Sequence, residues 1–161
     1  MAGIPGEVDT SRQPPMAIPL GHFVIAIGFL LAGGLVGVAA VLDAGPGLAG
    51  LAHVHLFLVG WVCLTIMGAM TQFVPVWSGV RLYSRRLAVA QLWIVAAGLA
   101  GFAAALLGLV PTLLPVFGAT MATGFWLFAI NLGRTLARVD ALDVTERHFV
   151  LALGFFVLAT G

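Results

Sequence analysis

Four long apolar runs set what this chain can fold into. A helix that crosses a bilayer needs about 20 consecutive, mostly apolar residues. Such runs extend from about Pro19 to Leu42, Gly50 to Val74, Leu87 to Val110 and Thr112 to Val139. Asp43-Ala-Gly-Pro-Gly47 ends the first, Pro75 the second and Pro111 the third. In hydrocarbon every backbone N–H and C=O must be bonded within its own segment, so these runs predict helices. A fifth run begins near His148 and reaches Gly161, too short to span comfortably. The chain is therefore expected to be a fragment or to end within a helix. The predicted fold is all-α, a polytopic transmembrane bundle over residues 19–161 with four spanning helices and the start of a fifth. Residues 1–18, rich in Pro, Gly and polar groups, read as an unpacked polar tail. The first run is long enough to span, so no cleaved signal peptide is predicted.

Charge supports the same class and adds an orientation. Only 8% of the 161 residues are charged and 61% are apolar, where a soluble domain carries about a quarter charged residues. The single Cys63 excludes a disulfide within the chain and a cysteine-based zinc site. All seven basic residues are arginines, scattered through loops, so there is no nucleic-acid footprint. Arg12 precedes the first run. Arg81, Arg85 and Arg86 lie between the second and third, and Arg134, Arg138 and Arg147 flank the gap between the fourth and fifth. An alternating topology puts all seven on one side, and the positive-inside rule makes that side cytoplasmic. The expected location is the cytoplasmic (inner) membrane with the amino terminus inside. His53 and His55 then fall near the outer face, His22 and His148 near the inner one.

Two further patterns concern packing. His22-Phe-Val-Ile-Ala-Ile-Gly-Phe29 recurs as His148-Phe-Val-Leu-Ala-Leu-Gly-Phe155, four helices later. Internal repeats of this kind occur in membrane folds, and two interface histidines at similar helix starts are the plainer reading. Gly33 and Gly37 are four apart, and Gly98, Gly101 and Gly108 are interspersed with Ala. Small residues let helix backbones approach, or let a flat ligand lie against a helix; bundle packing accounts for most of them.

The second run carries the chemistry. It opens His53-Val-His55-Leu-Phe-Leu-Val-Gly60-Trp61. Ionisable residues are expensive in a membrane and mark function by default. Two steps of about 100° along a helix turn His53 and His55 to nearly opposite faces, so they cannot readily grip one ion. A tetrahedral zinc site is disfavoured for that reason. One side of the helix carries His53, Phe57, Gly60, Leu64, Met67 and Thr71. The other carries His55, Leu58, Val59, Val62, Ile66 and Ala69. Both are apolar enough to line a macrocycle, and Gly60 removes a side chain where one could lie close. Histidine is a common haem iron ligand, so one haem contact on each face suits this geometry, with two wetted interfacial histidines as the alternative.

The stretch His53 to Trp61, then Met67-Gly68-Ala69 and Pro75-Val-Trp77-Ser-Gly79, resembles the tenth helix of haem-copper oxidase catalytic subunits, nearest to cbb3-type oxidases and the related nitric oxide reductases. Leu82-Tyr83-Ser84-Arg85-Arg86-Leu87-Ala88, Gln91-Leu92-Trp93 and Gly98 are similar to the following loop and eleventh helix, so the likeness covers roughly residues 53–100. That family arranges its twelve helices in three arcs of four, which suits the four-helix echo. The resemblance implies haem b. His53 would match the axial ligand of a high-spin haem and His55 an axial ligand of a low-spin haem.

The departures are as informative. The family's copper site needs three more histidines on two other helices, so copper is not supported by this chain alone. Where the family often has a tyrosine and another aromatic or His, this chain has Thr71-Gln72, and its one tyrosine, Tyr83, sits in a loop. No second low-spin ligand is in sight; it would come from other subunits, missing sequence or His55 of a second copy. The resulting expectation is a haem b-binding membrane protein carrying electrons toward reduction of oxygen or nitric oxide. It would be an oxidoreductase only when completed by further helices or subunits. The alternatives are a stand-alone haem-binding membrane protein that carries electrons, senses a gas or delivers haem, and a cofactor-free scaffold or transporter.

Overall fold

The computed structural model describes residues 10–160. Five helices follow one another: α1 (Ala17–Val41), α2 (Ala49–Trp77), α3 (Arg85–Leu106), α4 (Leu114–Leu136) and α5 (Val144–Thr160). Short 3₁₀ turns occur at Thr10–Arg12 and at Pro111–Leu113, the second leading directly into α4. No strand occurs among the described residues. The first four helices are long and apolar enough to cross a membrane, so the all-α membrane bundle read from the sequence is the architecture found.

Neighbouring helices run antiparallel, and small residues set their spacing. Along α1 and α2 the facing pairs descend in opposite order: Gly37 with His53, Gly33 with Leu56, Phe29 with Gly60, and His22 with Gly68. Along α3 and α4 they are Gly101 with Phe117, Gly98 with Met121, and Val95 with Gly124. Gly98 marks the tightest backbone approach there. A Cβ on it would lie 2.6 Å from the Met121 backbone nitrogen and 2.9 Å from its Cα. Backbone cannot swing away as a side chain can, so Gly98→Val is expected to destabilise the bundle by about 3 kcal/mol. Unfolding of the purified variant in a denaturing detergent checks this, and a wild-type midpoint would contradict the packing. The largest core, built around Leu64, Met67, Val74, Leu92, Val95, Phe128 and Leu132, fills one half of the bundle. A smaller cluster of Leu56, Leu99 and Ala103 fills the other.

The arginines gather at one end. The turn before α3 is fixed to α4 by paired hydrogen bonds: Ser84 N–H donates to Asn131 Oδ1 and Asn131 Nδ2 donates to the Ser84 carbonyl, both at 3.0 Å. The Arg134 and Arg138 guanidinia stand over the Tyr83 ring at 5.2 and 5.1 Å, and Arg138 donates to the Arg81 carbonyl. Tyr83, in the turn before α3, thus receives two cations from the C-terminal end of α4.

Helix ends depart from the sequence boundaries in instructive ways. The second run does not stop before Pro75; α2 continues through it to Trp77. Proline's fixed φ is already helical and only one backbone bond is forfeited, a cost borne in the last turn. The fifth helix begins at Val144 rather than His148. Asp143 and Glu146 form a reciprocal cap, with Glu146 N–H donating to Asp143 Oδ1 and Asp143 N–H to Glu146 Oε2. Part of the expected tail lies outside the described residues (1–9). Of the remainder, Pro14 is buried and Gln13 contacts Gln72 of α2, while residues 10–13 and 15–17 are exposed.

The candidate haem-ligand histidines

α2 is not uniform. Ala49–His55 is α-helical, Leu56–Cys63 is a π-helix, and Leu64–Trp77 is α-helical again. The π segment starts directly after His55. Its bonds run i→i+5, a rare arrangement that recurs at functional sites. Because each residue turns through less than an α-helical step there, side chains below His55 drift from the faces that a uniform helix assigns.

His53 leans on α1. Its Nδ1–H donates to the Gly33 carbonyl at 2.8 Å, a contact across 20 residues of chain. The imidazole lies over Gly37, where a Cβ would come within 2.8 Å of its Cε1. Gly33 and Gly37 therefore do more than let helices approach: one supplies the acceptor and the other the room for the ring. Beside the ring is an open groove of about 580 Å³ walled by Gly34, Gly37, Val38, Ala40 and Gly50.

His55 faces the other way. Its Nδ1–H donates to the Leu51 carbonyl, one turn back, at 2.9 Å. Its ring lies 5.0 Å from that of Phe102 on α3, centre to centre. It borders a cavity of about 440 Å³ with Val59, Cys63, Met121, Phe125 and Phe156. The two histidines thus serve separate concavities on opposite sides of α2, as the helical arithmetic predicts. In both, Nδ1–H donates to a carbonyl, which leaves Nε2 as the atom that could ligate a metal.

Gly60 belongs to neither concavity. The space a side chain would take is filled by Phe29 of α1, with Leu99 of α3 close behind. Its smallness serves helix packing. Leu64, Met67 and Thr71, expected on the His53 side, are buried between helices, and Cys63 joins the His55 cavity instead of Leu58 and Val62.

The other two histidines do not match their expected setting equally. His148 is exposed and bonds back to Val144. His22 is wholly buried against Gly68, with Nδ1–H on the Ile18 carbonyl and no partner for Nε2. Gly68 lies roughly 20 Å below His55 along α2, at 1.5 Å per residue, so His22 cannot complete a site with either histidine there. Sequence reasoning also missed Gln91, which is fully buried with both amide atoms unpartnered. A lone amide inside an apolar run was the available signal. No group of three or more His, Cys, Asp or Glu side chains able to hold a metal occurs among the described residues.

No family model, curated protein or solved structure matches this chain.

Proposed function

We propose that this chain is a haem b-binding integral membrane protein that carries electrons toward reduction of oxygen or nitric oxide, related to the catalytic subunit of haem-copper oxidases. The observation that carries this reading is the pair His53 and His55. Two histidines in one spanning helix turn to opposite concavities, and each has its Nδ1–H held by a carbonyl. His22 and His148 make the same kind of bond; what sets His53 and His55 apart is that they diverge from one helix into two concavities, which suits two haem irons.

The residues fit a flat apolar macrocycle. His53 would hold one haem against the glycine-walled groove on α1, and His55 a second beside Phe102. Bound haem supplies one-electron chemistry and, where a coordination position is open, binding of a diatomic gas. The chain's own part is to fix imidazole orientation through Gly33 and Leu51 and to present hydrocarbon around the irons. A second ligand for the His55 haem is assigned to another subunit or a second copy, and turnover to the completed assembly. Pyridine haemochromogen assay of the purified chain, expressed with ample haem, tests this. Protohaem at one or more per chain is expected; a chain free of haem would sink the proposal.

His22→Ala is expected to leave haem per folded chain unchanged while lowering stability by about 1–2 kcal/mol, because a buried ring is lost. Loss of haem in that variant would mean that the pairing of ligands is wrong.

The proposed orientation puts the arginine-rich end in the cytoplasm and the histidine end outside, in a cytoplasmic membrane. With Cys63 replaced, a cysteine at Asp43 should react with a membrane-impermeant maleimide in intact cells. One at Arg81 should react only after permeabilisation. The reverse pattern would overturn the orientation.

A further inference from the structure

Below the His55 cavity, α2 presents sulfur. Cys63, Met67 and Met70 stand at i, i+4 and i+7, which places them on one helix face. All three border one cavity of about 120 Å³, closed by Phe128 of α4 and by Ala152, Leu153 and Phe156 of α5. They are the chain's only cysteine and two of its five methionines. Cys63 is unpaired. Every other residue lining the cavity has a hydrocarbon side chain.

We propose that Cys63, Met67 and Met70 form a binding site for a soft monovalent cation, copper(I), with silver(I) as its redox-inert analogue. A thiol and two thioethers are the ligand types that select copper(I). The wall offers no nitrogen or carboxylate side chain, so hard cations such as magnesium and calcium find nothing to hold them. Binding breaks the Cys63 Sγ–H bond, forms an Sγ–copper bond and releases one proton to solvent. Copper enters and stays as copper(I), so no electron is transferred. The two thioethers are neutral, and one thiolate balances one cation. The bound site therefore carries no net charge, which removes the main cost of placing an ion among apolar helices. Methionine has three rotatable bonds, so Met67 and Met70 can close on an ion without moving the backbone. Cys63 and Phe156 also border the larger His55 cavity, which gives the ion a way in.

Packing alone would be served as well by leucine at the methionine positions, and this separates the two roles experimentally. The purified chain in detergent is given ascorbate-reduced copper under anaerobic conditions, in competition with the chromophoric chelator bathocuproine disulfonate. The expected result is one copper(I) retained per chain, with sulfur-only coordination by X-ray absorption at the copper edge. Met67→Leu and Met70→Leu keep volume, should keep the fold, and should each weaken retention by more than about tenfold. Cys63→Ser should abolish it. Met121→Leu, outside the sulfur-lined cavity, should retain copper as the wild type does, and so should His53→Ala and His55→Ala. No copper held against the chelator, nitrogen or oxygen coordination at the copper edge, or undiminished retention by Cys63→Ser would each overturn the site.

Discussion

His55→Ala is expected to remove the low-spin haem signal almost completely. The imidazole that would hold that haem would be gone, and the ligand assigned outside this chain would have to hold the haem alone. The structural cost should be small. His55 lies at the edge of its cavity, its own hydrogen bond is local, and its one ring contact is Phe102, so about 1 kcal/mol or less of stability is at stake. The chain should stay folded while the α-band of the low-spin haem disappears. Added imidazole should restore part of the band by entering the vacated space, which a merely structural histidine would not allow. An unchanged bis-ligated spectrum would take His55 out of the site.

Gly37→Val should produce the complementary loss without touching either histidine. The new side chain would occupy the space of the His53 imidazole. Displacing the ring breaks its bond to the Gly33 carbonyl; that oxygen keeps its helical bond within α1, but the imidazole N–H loses its partner, at about 1–3 kcal/mol. The haem assigned to His53 should lose its carbon monoxide response, while the low-spin signal assigned to His55 persists. Gly34→Ala is the matched control: a Cβ there meets nothing within 4 Å, so both signals should survive. A Gly37→Val protein with an undiminished carbon monoxide spectrum would separate His53 from haem binding.

The bundle was legible because the membrane simplifies the code. A run long enough to span must be helical, and the four spans lie within a few residues of the apolar runs that foretell them. The divergence of His53 and His55 was legible for a similar reason, since it follows from helical turn alone. What escaped depends on contacts between helices. Gly33 and Gly37 look like any small-residue packing pair until His53 is set down across them. Gly60 looks like room for a ligand until Phe29 fills it. His22 and His148 open near-identical octapeptides, yet one is wholly buried and the other exposed, because only α1 meets a glycine of α2 at that level. Leu56–Cys63 is more apolar than its flanks, but apolarity does not report helical pitch, and periodicity averaged along the run hides a local change of it. The start of α5 was readable and missed: Asp143-Val-Thr-Glu146 is a capping box in plain sequence.

The reduced-minus-oxidised visible spectrum of the purified, haem-loaded chain, taken with and without carbon monoxide, tests the central claim most directly. The proposal of two histidine-held haems predicts sharp b-type bands and a shift of part of the spectrum on adding carbon monoxide. A chain that takes up no haem, or whose haem bands survive replacement of both His53 and His55, would contradict it.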